Sequence, residues 1–322
     1  MSGTMKYLIA TAAAAAMFAC AGSGRKAGDA ARDRDKQPDA TTSHGDYRQF
    51  ALPPIPAAVP PEQQRPWMQE HFWDGFRFAD SAYVAAQDSD IMVRLFALYA
   101  VQVVDPRDPT PLGNLMRRAE AHGHTLRYFL SLAERVLHDP NSPLRNDELY
   151  IHVLEAATAS PRLSPAEKIA PQHDLRMARQ NRIGHTANDF TFTDIDGRNA
   201  SLHGIRSPFV LLFFSNPDCP LCARIAGELQ TSAVITRAVA ARRLQIVMLY
   251  PDDDLAAWRR HAREIPASWS YARDGGHEIR DGELYDLKAI PALYLLDSLK
   301  RVVVKDASAI APVERALASS GV

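Results

Sequence analysis

The stretch PFVLLFFSNPDCPLC, Pro208 to Cys222, carries more structural information than any other part of the chain. Its first seven residues, Pro208 to Phe214, are apolar and end at the turn-forming Ser215-Asn216-Pro217. An uninterrupted apolar run of that length, closed by turn residues, predicts a strand buried on both faces of a central sheet. Immediately after the turn comes Cys219-Pro220-Leu221-Cys222, and the following Ala223-Arg224-Ile225-Ala226-Gly227-Glu228-Leu229 is compatible with a helix. Two thiols are thereby placed at a helix N-terminus, where unpaired amide groups and the positive end of the macrodipole favour a thiolate at Cys219. Cys222 lies three residues further on, within one helical turn. At that spacing the two sulfurs can reach each other, so Cys219 can attack a disulfide and Cys222 can resolve the mixed disulfide. Pro220 suits the first helical turn because it forfeits no hydrogen bond there.

A Cys-x-x-Cys pair can also be half of a zinc site. The only other cysteine is Cys20, and no histidine lies within ten residues of either thiol, so redox chemistry is the stronger reading. Nothing else in the sequence calls for a metal or a cofactor.

The segment from about Gly184 to the C-terminus resembles the thioredoxin-fold domain of the TlpA-like thiol-disulfide oxidoreductase and peroxiredoxin superfamily. Three motifs in order carry the resemblance: Asn188-Asp189-Phe190-Thr191-Phe192-Thr193-Asp194-Ile195-Asp196-Gly197-Arg198, the Cys219–Cys222 pair, and Ala289-Ile290-Pro291-Ala292-Leu293-Tyr294-Leu295-Leu296. Asp196-Gly197 is itself a hairpin-turn signal. The resemblance implies that Pro291 is a cis-proline beside the cysteines, with the backbone of Ile290 pairing with an extended substrate. Without it, Pro291 would read as the first residue of a strand. The chain departs from thioredoxins at three places. Asp218 stands where they carry Trp, and its negative charge beside Cys219 disfavours the thiolate. Phe213 replaces the buried acid six positions before the first cysteine, which removes a carboxylate that could handle protons there. Ala292 replaces the common Thr. Peroxiredoxins need Pro and Thr or Ser seven and three residues before their reactive cysteine; Leu212 and Asn216 occupy those places, which argues against a peroxidase.

The rest of the chain is read around this domain. With 322 residues, of which 46% are hydrophobic, it can build two domains of ordinary size. A net charge of -1 excludes a broadly basic nucleic-acid surface, and no nucleic-acid motif is present. Residues 1–20 read as a signal peptide: Lys6 supplies the positive region, Leu8 to Ala19 the apolar one, and Phe18-Ala19-Cys20-Ala21-Gly22 resembles a lipobox. Cys20 is the expected lipidation site, with an unlipidated exported cysteine as the alternative. The mature protein is then expected on the bacterial cell envelope, lipid-anchored and facing the periplasm or exterior, with the dithiol as its only free thiols.

Residues 21–61 read as a flexible tether, almost without apolar residues up to Ala51 and Pro-rich from Pro53 to Pro61. Residues 62–182 read as an all-α domain of about five helices. Trp67, Phe72, Phe76 and Tyr83 recur near helical spacing, Ile91 to Val104 suits a buried helix, and Leu126, Phe129, Leu130, Ala133 and Leu137 form a stripe. Asp105-Pro106 and Asp139-Pro140-Asn141-Ser142-Pro143 punctuate it, and Ser164-Pro165-Ala166-Glu167 is a capping box that predicts a last helix to about Arg182. His122 and His124 read as loop residues, and His71 as part of an aromatic cluster. Around residues 139–146 the segment resembles an uncharacterised helical domain that precedes thioredoxin-like domains in some envelope lipoproteins.

Residues 184–322 are expected to form an α/β thioredoxin fold, a central mixed sheet flanked by helices. Leu244 to Tyr250, Trp269 to Ala272, Leu293 to Asp297 and Val302 to Lys305 are the further strands, and Glu278 to Leu287 and Ala309 to Ala318 are helices. Asp252-Asp253-Asp254 reads as helix-capping rather than metal-binding. The predicted function is disulfide exchange with protein clients, as a reductant recharged by an envelope electron donor. The alternative is a non-catalytic lipoprotein whose helical domain binds partners.

Overall fold

The computed structural model describes residues 49–321; Cys20 and the signal-peptide reading lie outside the described residues. Seven α-helices come first: α1 (Pro61–His71), α2 (Ser81–Ala85), α3 (Ser89–Leu98), α4 (Thr110–Ala119), α5 (Gly123–Ala133), α6 (Asp147–Ala159) and α7 (Ile169–Ala178). The sheet-bearing half follows: β1 (Thr191–Asp194), β2 (Asn199–Ser201), β3 (Phe209–Phe214), α8 (Pro220–Thr231), α9 (Ala233–Ala240), β4 (Leu244–Tyr250), α10 (Leu255–His261), β5 (Ser270–Arg273), α11 (Glu278–Asp281), β6 (Ala292–Asp297), β7 (Val302–Ala307) and α12 (Ala311–Ser319).

The seven strands form one sheet in the order β2-β1-β5-β4-β3-β6-β7. β3 is parallel to β4, and β4 to β5, while β6 runs antiparallel to β3, so the sheet is mixed. Alternation splits each central strand between two cores. Leu211 and Phe213 of β3 join Ile246, Met248, Leu293 and Leu295 beneath α8, α9 and α12. Val210, Leu212 and Phe214 join Val247, Leu249, Tyr294 and Leu296 with Phe190, Phe192 and Tyr285 on the other face. Burial on both faces is why the sequence of β3 shows no polar alternation.

The helical half packs around an aromatic core. Trp73, Phe76 and Phe78 meet Phe129 with ring centroids 5.2–5.5 Å apart, the first two edge to face. Here the structure corrects the reading of residues 21–61 as tether throughout. Phe50 is buried, stacks on Trp73 at 5.2 Å, and donates its amide hydrogen to Gln87 Oε1 at 2.7 Å. Gln49 beside it donates to the Ala86 carbonyl at 3.0 Å and accepts the Asp88 amide at 2.9 Å, so residues 49 and 50 are docked on the helical core.

Other boundaries shift for identifiable reasons. The count of seven helices exceeds the expected five because the short α2 stands alone and Asp80 and Asp88 cap separate helices. The run Ile91–Val104 is α-helical only to Leu98 and ends in a single π-turn over Tyr99–Val103. The capping box at Ser164 forms, with Glu167 Oε2 accepting from the Ser164 amide at 2.9 Å and the Glu167 amide reaching Ser164 Oγ at 3.4 Å. It closes only a turn, and α7 starts at Ile169; Pro171 has no amide hydrogen to give the Glu167 carbonyl, so the helical ladder cannot run through. The helix expected over Glu278–Leu287 stops at Asp281, because Glu283 adopts φ +47° and side chains from elsewhere take the carbonyls of residues 283 and 284. Among the described residues no helix is long and apolar enough to cross a membrane.

Candidate active site

β3 delivers the site. Its hydrogen-bond ladder continues one residue past its end, with the Ser215 amide donating to the Leu249 carbonyl at 2.9 Å. The chain then turns through Asn216-Pro217-Asp218, and the Cys219 amide donates back to the Asn216 carbonyl at 3.2 Å. Asn216 is pinned from outside by its side-chain amide, which donates to Asp252 Oδ2 at 2.7 Å. Cys219 is the N-cap of α8, with extended backbone (φ -99°, ψ 108°) and Pro220 at the first helical position. Its Sγ takes the place of the oxygen of an ordinary capping side chain, accepting the Cys222 amide at 3.1 Å. The sequence reading thus puts Cys219 on the helix terminus that a reactive sulfur requires.

From the opposite side, the turn that leads into β6 brings up Ile290 and Pro291. The Ile290–Pro291 peptide bond is cis, and the Cys219 thiol donates to the Ile290 carbonyl at 3.7 Å. Cys219, Cys222, Ile290 and Pro291 therefore come together in one place, although some 70 residues separate the two segments. Asp218 sits exposed on the turn and bonds through its own amide to Asn216 Oδ1 at 3.3 Å.

The two thiols are in different surroundings. Cys219 is half-buried, whereas Cys222 is 1% exposed and packs with Phe213 and Ile225. Burial pushes the Cys222 thiol up to about 12, and the Asn216 backbone and the Ser215 hydroxyl partly offset this. Ser215 is itself buried, and its Oγ has no conventional hydrogen-bond partner among the described residues. Phe213, where thioredoxins keep an acid, is fully buried in the same core as Cys222. A sulfur poised at a helix terminus beside an accessible backbone carbonyl, backed by a second sulfur held protonated until needed, can perform dithiol exchange.

Sequence reading missed Ser215 and Asn216 as participants. The available signal was that Ser215 is the first polar residue after a strand buried on both faces, four residues before a reactive thiol. Of the acidic run only Asp254 behaves as read, capping α10 by accepting the Ala256 and Ala257 amides at 3.0 and 2.9 Å, whereas Asp252 accepts from Asn216 and Asp253 from Arg280. Among the described residues no group of three or more His, Cys, Asp or Glu side chains could hold a metal ion.

Comparison with known proteins extends these observations. Residues 183–305 match the AhpC/TSA family, and residues 25–181 match a domain of unknown function, DUF5106. A crystal structure of a thioredoxin-like protein from Bacteroides caccae is 36% identical, covers 84% of this chain and 99% of its own, and superposes with a TM-score of 0.80. The C-terminal domain of an uncharacterized protein from Bacteroides fragilis is 39% identical over 43% of this chain and 98% of its own, with a TM-score of 0.42. The methylamine utilization protein MauD of Methylobacillus flagellatus is 29% identical over 136 residues, 41% of this chain. The match spans 60% of that protein's length.

Proposed function

The chain belongs to the thioredoxin-like family, and from that premise we propose that it exchanges disulfides with protein clients in the bacterial cell envelope, working as a reductant through Cys219 and Cys222. The observation that carries the reading is the Cys219 sulfur at the α8 N-cap, within reach of both the Cys222 amide and the Ile290 carbonyl.

The Cys219 thiolate attacks one sulfur of the client's disulfide; the client's other sulfur leaves as a thiolate and takes up a proton. Cys222 then gives up its proton and attacks the Cys219 sulfur, which releases the client's second thiolate. Two electrons pass from the dithiol to the client, and the chain is left with a Cys219–Cys222 disulfide for an envelope electron donor to reduce. The edge at Ile290 and Pro291 offers an extended client a backbone partner in the manner of strand addition. Cys20, after cleavage of residues 1–19, is the lipid attachment point.

The test is reduction of insulin disulfides with dithiothreitol as electron donor, combined with trapping. Cys222→Ser should accumulate a mixed disulfide through Cys219, and Cys219→Ser should accumulate none; the reverse pattern refutes the assignment of roles. Labelled-lipid incorporation in cells should disappear in Cys20→Ala, and its persistence refutes the anchor.

A further inference from the structure

The exchange chemistry draws no side chain from the helical half, yet the segment that ends in the cis-proline is fastened to that half as well as to its own, where Asn188 Nδ2 also bonds the Leu284 carbonyl at 2.9 Å and Tyr285 packs on Phe214 and Tyr294. Gln180 Nε2 donates to the Glu283 carbonyl and Asn181 Nδ2 to the Leu284 carbonyl, each at 2.8 Å. Arg176 and His173 of α7 hold the Glu283 carboxylate at 2.7 and 3.2 Å. Asp147, at the start of α6, approaches Lys288 Nζ at 3.8 Å with one oxygen and Lys305 Nζ of β7 at 2.8 Å with the other. Lys288 also meets Asp286 at 2.6 Å, and Arg145 meets Asp306 at 3.0 Å. The side chains of Asp147, Lys288 and Lys305 are only 8, 14 and 7% exposed.

Buried ion pairs add little net stability, because desolvation consumes most of the attraction, but removing one partner strands a charge in a poor dielectric. Such a cluster therefore tolerates one arrangement of its members far better than any other. Lys288 is two residues from Ile290, whose carbonyl meets the Cys219 thiol. We infer that the helical half is a brace for the redox site: through Asp147, Gln180 and Asn181 it fixes segment 283–290, and so sets where the Ile290 carbonyl and Pro291 stand against Cys219. These three are positioning residues. The consequence for protein clients rests on the proposed disulfide exchange; the positioning itself does not.

A slack segment blurs the backbone edge that a protein client needs and leaves a small disulfide free to reach Cys219. In the full-length chain, Asp147→Asn and Lys288→Met are each expected to speed deuterium uptake over 283–290 by about tenfold. Each should lower kcat/KM for insulin by about fivefold or more, mainly through KM, and leave the rate with dithiobis(nitrobenzoate) within about twofold. The double variant should fall short of the sum of the singles, because the two side chains share one contact while Asp147 also meets Lys305 and Lys288 also meets Asp286. Val84→Ala in α2, which thins the helical core away from the brace, should leave uptake over 283–290 and the insulin kinetics unchanged. Glu283→Gln, which releases the exposed end without touching the core, should give a smaller change of the same sign. Unchanged uptake over 283–290 in Asp147→Asn, Lys288→Met and Glu283→Gln, or an equal kinetic loss in Val84→Ala, overturns the brace. Failure of the unaltered chain to reduce insulin overturns the proposed exchange instead, and the deuterium readout still judges the brace.

Discussion

Removing one hydroxyl, in Ser215→Ala, separates the two halves of the proposed exchange reaction. Resolution requires the Cys222 thiolate, and burial holds that thiol up near 12. The Ser215 hydroxyl is one of the few groups that eases it. A hydrogen bond to a charged acceptor is worth on the order of 1.5–3 kcal/mol, and sulfur, a weak acceptor, belongs at the lower end. About 1.4 kcal/mol corresponds to one pK unit, so the thiolate population at a fixed pH falls about tenfold. The remaining thiolate is more basic, and with a Brønsted slope near 0.45 it is about threefold more nucleophilic. The net expectation is resolution about threefold slower. Dithiobis(nitrobenzoate) reports both steps by stopped-flow absorbance: attack by Cys219 releases one aromatic thiolate in a second-order phase, and resolution by Cys222 releases the other in a first-order phase. Ser215→Ala should slow the first-order phase about threefold and move its pH profile upward by about one unit, while the second-order phase stays unchanged. Stability should barely fall, because the deleted group has no conventional partner. An unchanged first-order phase, or a slower second-order phase, refutes the reasoning.

Asp306 gives a pH-stability prediction. Burial pushes its carboxyl up to about 7 despite Arg145 beside it, so the folded chain holds this proton more tightly than the unfolded chain. The contribution of Asp306 to stability should therefore fall as pH rises from about 4 to about 7 and then level off. Urea unfolding at pH 5 and pH 8 should show Asp306→Asn gaining about 2 kcal/mol on the parent between the two, and parallel curves defeat the prediction. Asp254→Ala, which removes the α10 cap that takes two amides, should cost about 1 kcal/mol in the same assay. Gly197 turns the β1–β2 hairpin at φ +82°, so Gly197→Ala should cost about 1 kcal/mol through strain in the left-handed region, visible as a lower urea midpoint.

What the sequence disclosed depends on how local the cause is. The Pro208–Cys222 stretch could be read because strand, turn and helix cap each carry their own signal within a few residues, and the structure builds them from those residues. The Asp196-Gly197 hairpin and the Asp254 cap were legible for the same reason. Phe50 was not, because its docking site is an aromatic cluster assembled from residues 72–129. The end of α11 was not either: Gly282 and Glu283 fit a short helix only once Gln180 and Asn181 claim the following carbonyls. Nothing local in the sequence singles out Asp147, and only the fold reveals that it faces two buried lysines.

The Phe213 position shows how one substitution redistributes the site's chemistry. With Phe213 buried in the core that holds Cys222, the proton of the resolving thiol has no carboxylate on β3 to receive it. The groups that ease its removal lie on the turn instead: the Asn216 backbone and the Ser215 hydroxyl. Both stand on the three residues between β3 and Asp218, and Asn216 is tied to Asp252 beyond β4. Dipoles of this kind stabilise charge without titrating, so they require no proton of their own and add no further ionisation to the pH profile. The resolving step should then follow a single ionisation, that of Cys222, rising tenfold per pH unit below its midpoint. A second inflection in the first-order phase between pH 6 and 9, surviving in Asp218→Asn, would show that a hidden carboxylate takes part and that the turn alone does not suffice.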